Sequence, residues 1–140
     1  MLILDTNVLS EIMRPRPALE VAAWLARQPD DLLYTTAISQ AEVLSGLAIM
    51  PEGRRHRELE AAARGIFTED FEDRILPFDT DATAAYAEIV AARRRTGRPT
   101  APLDLMIAAV AVSHNASVVT RDTKGFDGCG VTLVNPWQVS

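Results

Sequence analysis

Met1-Leu2-Ile3-Leu4-Asp5-Thr6-Asn7-Val8-Leu9-Ser10 opens the chain. A short run with apolar residues at every position is followed at once by an acid, a hydroxyl and an amide. A run without polar alternation reads as a strand buried on both faces, not one wetted on one side. Asn7 to Met13 reads as a short helix, stopped by Arg14-Pro15-Arg16-Pro17, since proline disfavours helix in the residue before it. The same rhythm recurs along the chain. Ala18 to Arg27 is helical, with Leu19, Ala22, Ala23 and Trp24 expected inward. Leu32 to Thr35 is a second strand, and Ser39 to Met50 an apolar helix. Pro51 suits the first turn of a helix running to about Phe67. Ile75 to Phe78 is a third strand, and Asp79 or Thr80 caps a helix ending near Arg95 and Gly97. Pro102 opens an apolar helix to His114. Ser117 to Thr120 and Val131 to Val134 are the last strands, closed by Asn135-Pro136. Short apolar strands alternating with helices specify an α/β fold of three layers, α/β/α, around a central parallel sheet of about five strands.

The whole-chain numbers bound the rest. With 140 residues, the sequence is read as one domain, 1–140, and its 48% hydrophobic content excludes a disordered chain. The longest apolar stretch, Ile107 to Val112, is far short of the roughly 20 residues of a membrane span. Met1 to Asp5 has neither a basic segment nor a cleavage motif, so no signal peptide is expected. A single cysteine, Cys129, excludes an intrachain disulfide framework and a cysteine zinc site, which makes the cytoplasm the expected location. The net charge of −5 argues against a strongly basic nucleic-acid binder. It does not exclude a nuclease whose acids are masked by metal.

Four acids sit where strand turns to helix or loop: Asp5, Glu42, Asp104 and Asp122. Each also fits a local role. Asp5 can cap the first helix. Glu42 closes Ser39-Gln40-Ala41-Glu42, a capping-box pattern. Asp104 lies in a first helical turn, where the dipole favours an acid. Asp122 can make an Asx turn. Together they mean more, because strand ends and helix starts of a doubly wound sheet share one edge, where sites form. Glu42 and Asp104 also lie among apolar residues, and acids are rarely buried unless paired or bound to metal. Clustered carboxylates raise one another's pKa, and a hard divalent cation such as Mg²⁺ or Mn²⁺ removes that repulsion.

These stretches resemble the motifs of PIN-domain ribonucleases. Leu4-Asp5-Thr6-Asn7-Val8-Leu9-Ser10-Glu11 is similar to the first. Ser39-Gln40-Ala41-Glu42-Val43 with Gly46 is similar to the second, Pro102-Leu103-Asp104-Leu105-Met106-Ile107-Ala108-Ala109 to the third, and Thr120-Arg121-Asp122 with Phe126 to the fourth. The closing Gly130 to Trp137 segment fits as well. The resemblance spans the chain and is strongest to VapC and FitB type toxins of type II toxin–antitoxin modules. It implies a Mg²⁺- or Mn²⁺-dependent endoribonuclease that hydrolyses RNA through a metal-activated water. It also implies a homodimer inhibited by a small antitoxin, with operator DNA bound only through that antitoxin. Carried over, Asp5, Glu42, Asp104 and Asp122 are the metal-site and catalytic acids, with Asn7 and Thr120 supporting them.

Thirteen of the fourteen basic residues are arginine, and seven of them fall in two clusters, Arg54 to Arg57 and Arg93 to Arg98. Arg98, near the Pro102 helix start, and Arg93 are the candidates for RNA phosphates, while Arg54 to Arg57 fit a solvated surface. Val8, Leu9, Ile12 and Met13, with Leu44, Leu47, Ala48 and Ile49, suit either core packing or a groove for a partner helix. Trp24 and Trp137 read as packing residues near the surface. Two rivals stand beside the nuclease. A phosphotransfer α/β domain lacks its Asp-x-Asp, because Asn7 occupies the second position. A non-catalytic, metal-stabilised binding module would have no need of four acids. His56 and His114 lack metal-ligand spacing, and Cys129 lacks a neighbouring histidine.

Overall fold

The computed structural model describes residues 1–138, so Val139 and Ser140 of the expected domain lie outside the described residues. Strands β1 (Leu2–Leu4), β2 (Leu33–Thr36), β3 (Ile75–Leu76), β4 (Ser117–Val119) and β5 (Leu133–Val134) form one sheet in the order β3-β2-β1-β4-β5. Every pairing is parallel, with Leu2 opposite Leu33 and Ser117, and Val119 opposite Val134. The helices are α1 (Thr6–Ile12), α2 (Leu19–Ala26), α3 (Ala37–Ile49), α4 (Arg54–Gly65), α5 (Thr80–Arg95), α6 (Pro102–Ser113) and the single turn α7 (Thr123–Phe126). A 3-10 turn covers Asp30–Leu32 and a π-helical turn Ile66–Asp70.

The parity of the strands makes the layers. Ile3 and Val118 point to one face, where Ala82, Ile89, Leu105 and Ala108 of α5 and α6 cover them. Leu4 and Val119 point to the other, against Val8, Leu9, Trp24, Val43 and Leu47 of α1, α2 and α3. All four strand residues are fully buried. Each such side chain contributes roughly 1.5–3 kcal/mol relative to exposure. The expected α/β/α arrangement with a parallel sheet is what the chain adopts. No helix among the described residues is long and apolar enough to cross a membrane.

Several local expectations need correction. On α2 the buried residues are Val21 and Trp24, whereas Leu19 is 84% exposed and Ala22 and Ala23 are exposed. Val21, Trp24 and half-buried Leu25 form an i, i+3, i+4 stripe of large side chains, which sets the phase of the helix over the two alanines. Trp24 is therefore a core residue. Helix α3 starts before Ser39, because Thr36 at the end of β2 caps it, its Oγ1 accepting from the Ser39 N–H at 3.1 Å. Glu42 thus stands in the second turn, beyond the reach of a capping box. Helix α4 starts at Arg54 and not at Pro51, because Gly53 ahead of it takes a backbone conformation, φ 158° and ψ −170°, that a helix cannot contain. Of the two apolar helices considered for a groove, Val8, Leu9, Val43 and Leu47 are core, while Leu44 and Ile49 are exposed.

The strand order positions the site. β2 and β3 lie on one side of β1, and β4 and β5 on the other. The winding reverses between β1 and β4, where the strand carboxyl ends open a crevice. Asp5 and Thr120 leave the sheet there side by side, the Asp5 N–H donating to the Val119 carbonyl at 3.1 Å.

Candidate functional site

Asp5 ends β1 and caps α1, its Oδ1 accepting from the Val8 N–H at 3.1 Å. It is only 3% exposed. Burial is the main reason its carboxyl is pushed up from 3.8 to about 6, and the Asp104 charge adds to the rise. Hydrogen bonds from the Thr120 hydroxyl and the Val8 and Asn7 backbone N–H groups oppose the rise. Thr120, the residue expected from the sequence to support the acids, lies beside Asp5. Asn7 contributes through its backbone, and its side chain is exposed.

Thr6, next in the chain, links the first motif to the second. Its hydroxyl donates to Glu42 Oε1 at 2.6 Å and lies 3.0 Å from the Ser39 hydroxyl. Donation to the carboxylate aims Glu42 from α3 toward the end of β1. Sequence reasoning missed Thr6, since a hydroxyl beside an acid has no spacing pattern of its own.

Asp104 is the third residue of α6, and Pro102 at its start fixes the helix geometry there. Its carboxyl is raised first by burial, then by the charges of Asp122 and Glu42, with Arg93 acting in the opposite sense. Asp122 is exposed and caps α7, its Oδ1 accepting from the Gly125 N–H at 3.1 Å. Its own N–H donates to Thr120 Oγ1 at 3.0 Å, so a fully buried hydroxyl ties Asp5 to Asp122. Gly125 fills a further role. A Cβ there would stand 2.7 Å from Asp122 Oδ2 and 3.5 Å from Asp104 Oδ2, so both carboxylates reach the space that its missing side chain leaves.

Asp5, Glu42, Asp104 and Asp122 thus share one sheet edge, where Asp104 meets the charges of Asp122 and Glu42 and Asp5 that of Asp104. Among the described residues no three acid, histidine or cysteine side chains close into a ready-made metal cage. They stand as mutually repelling carboxylates with oxygen donors only, beside a glycine cradle. That donor set fits a hard divalent cation and not a soft or nitrogen-seeking one.

The arginines divide differently from expectation. Arg93 is 2% exposed. Its Nε donates to the Pro99 carbonyl at 2.7 Å, and its Nη1 donates to the Asp127 carbonyl and lies 4.0 Å from Cys129 Sγ. It clasps the loop before α6 to the loop after α7 and offers no surface charge to a phosphate, which corrects its expected role. A signal was present: buried Ala82, Ala85 and Ile89 lead to Arg93 at helical spacing. Arg98 is exposed and ion-paired to Asp127 Oδ2 at 3.4 Å. Arg54 pairs with Glu58 on the surface of α4, as a solvated cluster should. Burial pushes the Cys129 thiol up, away from nucleophilic thiolate, even with Arg93 beside it.

Comparison with known proteins gives a consistent set of relatives. A family model described as PIN domain matches residues 2–128. The chain is 40% identical over 138 residues to the VapC ribonuclease Y4jK of Sinorhizobium fredii, covering 99% of both chains. It is 39% identical over 138 residues to the toxin FitB of Neisseria gonorrhoeae, again covering 99% of both. Among solved structures, that of FitAB bound to an IR36 DNA fragment matches with a TM-score of 0.92 at 38% identity, over 100% of this chain and 98% of the other.

Proposed function

The chain belongs to the PIN-domain family, and on that premise we propose that it is a divalent-metal-dependent endoribonuclease toxin of a type II toxin–antitoxin module. We read residues 1–140 as a single PIN domain. The observation that supports the reading is Asp104 at the switch point of the sheet, its carboxyl raised by the charges of Asp122 and Glu42 and its own charge raising Asp5. The relatives' names as a ribonuclease and a toxin support the reaction class.

Asp5 and Asp104 are assigned to hold Mg²⁺ or Mn²⁺, with Glu42 and Asp122 completing the acid set. The cation would neutralise the cluster, ease proton loss from water and offset charge on the phosphoryl oxygens. The chain's own residues do the rest. Glu42, aimed by the short Thr6 hydrogen bond, orients the attacking water and accepts its proton. Thr120 and the Val8 N–H fix the Asp5 rotamer. Burial of Asp5 keeps bulk water from competing for its oxygens. Of the two expected arginines, Arg98 is the exposed one, and it would meet an RNA phosphate only by exchanging its Asp127 ion pair for it.

The proposed partners follow from the solved complexes. FitB is a toxin, and FitAB was solved on DNA, which supports a small DNA-binding antitoxin for this chain and contact with operator DNA through it. A homodimer in the cytoplasm is proposed with it. The test is overexpression of the chain alone, with its antitoxin, and as Asp5→Asn. Growth arrest relieved by the antitoxin and abolished in Asp5→Asn, with complex formation kept, is the expected result. An Asp5→Asn chain as toxic as the parent would remove the nuclease reading.

A further inference from the structure

RNA must be held as well as cut, yet the chain is acidic, at −5 overall. We propose that Arg121 and Trp137 form a stacking platform for an unpaired base of the RNA beside the scissile phosphate. This rests on the nuclease reading above.

The sheet puts the two residues together. Val119 pairs with Val134, and the Thr120 N–H donates to the Val134 carbonyl at 2.9 Å. The residues that follow, Arg121 on one strand and Asn135-Pro136-Trp137 on the other, leave the same carboxyl edge as neighbours. Arg121 is bonded directly to Asp122, so the platform adjoins the acids by covalent connection. The Arg121 Cζ lies 5.0 Å from the centre of the Trp137 ring. The ring is anchored: Pro136 is buried, the Trp137 N–H donates to Asn135 Oδ1 at 3.0 Å, and the half-buried indole packs on the core that holds Leu4 and Val119.

The partners of the other arginines near this edge show why Arg121 stands apart. Arg93 is interior, and Arg98 is held by the Asp127 carboxylate. Arg121 is exposed, and among the described residues it rests on a ring and makes no ion pair with an acid. An aromatic ring fixes the guanidinium plane without consuming its N–H fork or cancelling its charge. A phosphate alone would need no such ring, because a freely solvated arginine serves that purpose. Flat aromatic and guanidinium surfaces are what unpaired bases stack on, and a base inside a duplex cannot reach them.

The test has two arms. In a chain carrying Trp24→Phe and Asp104→Asn, Trp137 is the remaining tryptophan and RNA is not cut. Its emission is expected to be quenched on titration with a single-stranded oligoribonucleotide and not with the same strand annealed to its complement. In the otherwise unaltered chain, Arg121→Ala and Trp137→Leu should each raise KM for single-stranded RNA about tenfold, with kcat much less affected, and Trp137→Phe should recover most of the loss. Because the two act as one unit, the double variant should lose little beyond either single one. Unchanged KM in Arg121→Ala and Trp137→Leu, while the parent chain cleaves, would overturn this proposal alone. So would an emission response equal for duplex and single strand, or one seen only with an antitoxin peptide. A parent chain that neither binds nor cuts RNA would overturn the nuclease reading with it.

Discussion

Asp5→Asn should make the metal-free chain more stable at alkaline pH, although it destroys the proposed site. Asp5 is 3% exposed and its carboxyl is pushed up to about 6 from 3.8, chiefly by burial. A group whose folded pKa lies above its unfolded one favours folding in its neutral form. That contribution is complete below about pH 4 and is lost as pH rises through about 6. A shift of about two units at 1.36 kcal/mol each makes ionised Asp5 cost roughly 3 kcal/mol of stability above pH 7. Asparagine cannot ionise, caps a helix as well as aspartate does, and keeps an oxygen for the Val8 N–H. The assay is thermal unfolding of parent and variant in EDTA from pH 4.5 to 8. The variant should exceed the parent least near pH 4.5 and melt about 6–12 °C higher at pH 8, at roughly 2–4 °C per kcal/mol for a chain of this size. Saturating Mn²⁺ should then close most of that gap by stabilising only the parent, by about 3 kcal/mol at a hundredfold excess over its Kd. A variant less stable than the parent at pH 8 in EDTA, or an offset that ignores pH, would refute the argument. It would mean that Thr120, Val8 and Asn7 already hold the Asp5 charge comfortably.

Three other outcomes test the surrounding shell. Thr6→Val keeps shape but removes the 2.6 Å donation to Glu42, so kcat should fall about 10- to 100-fold with little change in melting temperature, read by steady-state RNA cleavage. Gly125→Ala would place a Cβ 2.7 Å from Asp122 Oδ2, so calorimetry should show Mn²⁺ affinity weakened about tenfold or more. Arg93→Met leaves the Pro99 carbonyl without its donor and the Asp127 carbonyl with Arg98 Nη1 alone, at 3.3 Å. At about 1–3 kcal/mol for a stranded group, urea unfolding should show a loss of that size.

The frame of this fold was legible because burial on both faces leaves a plain mark. Leu2 to Leu4 and Ser117 to Val119 are short apolar runs, and their parity feeds two cores at once. Asp79 was legible as a cap because its side chain accepts from the Ala82 N–H, a local bond that composition alone suggests. Glu42 closes a capping-box pattern in the sequence, but Thr36 and not Ser39 caps α3, so that pattern has no local role. The rest depends on contacts distant in sequence. Thr6 meets Glu42 across 36 positions, and Arg93 reaches the Asp127 carbonyl across 34, so neither partner could be read from spacing. Arg93 was further hidden by Arg94 and Arg95, which make the end of α5 look solvated although one of the three arginines points inward. Leu19 misled for the opposite reason: a large apolar side chain at a helix start suggests core, but Val21 and Trp24 already fill that face.

The central claim is that Asp5, Glu42, Asp104 and Asp122 form one metal-dependent ribonuclease site. Its most direct test is cleavage of RNA by the purified, antitoxin-free chain in Mg²⁺, in Mn²⁺ and in EDTA, beside Asp5→Asn and Asp104→Asn prepared identically. Cleavage that requires the metal and is abolished in both variants while their folds persist is the expected result. Cleavage that continues in EDTA, or that Asp104→Asn retains at the parent's rate, would contradict it.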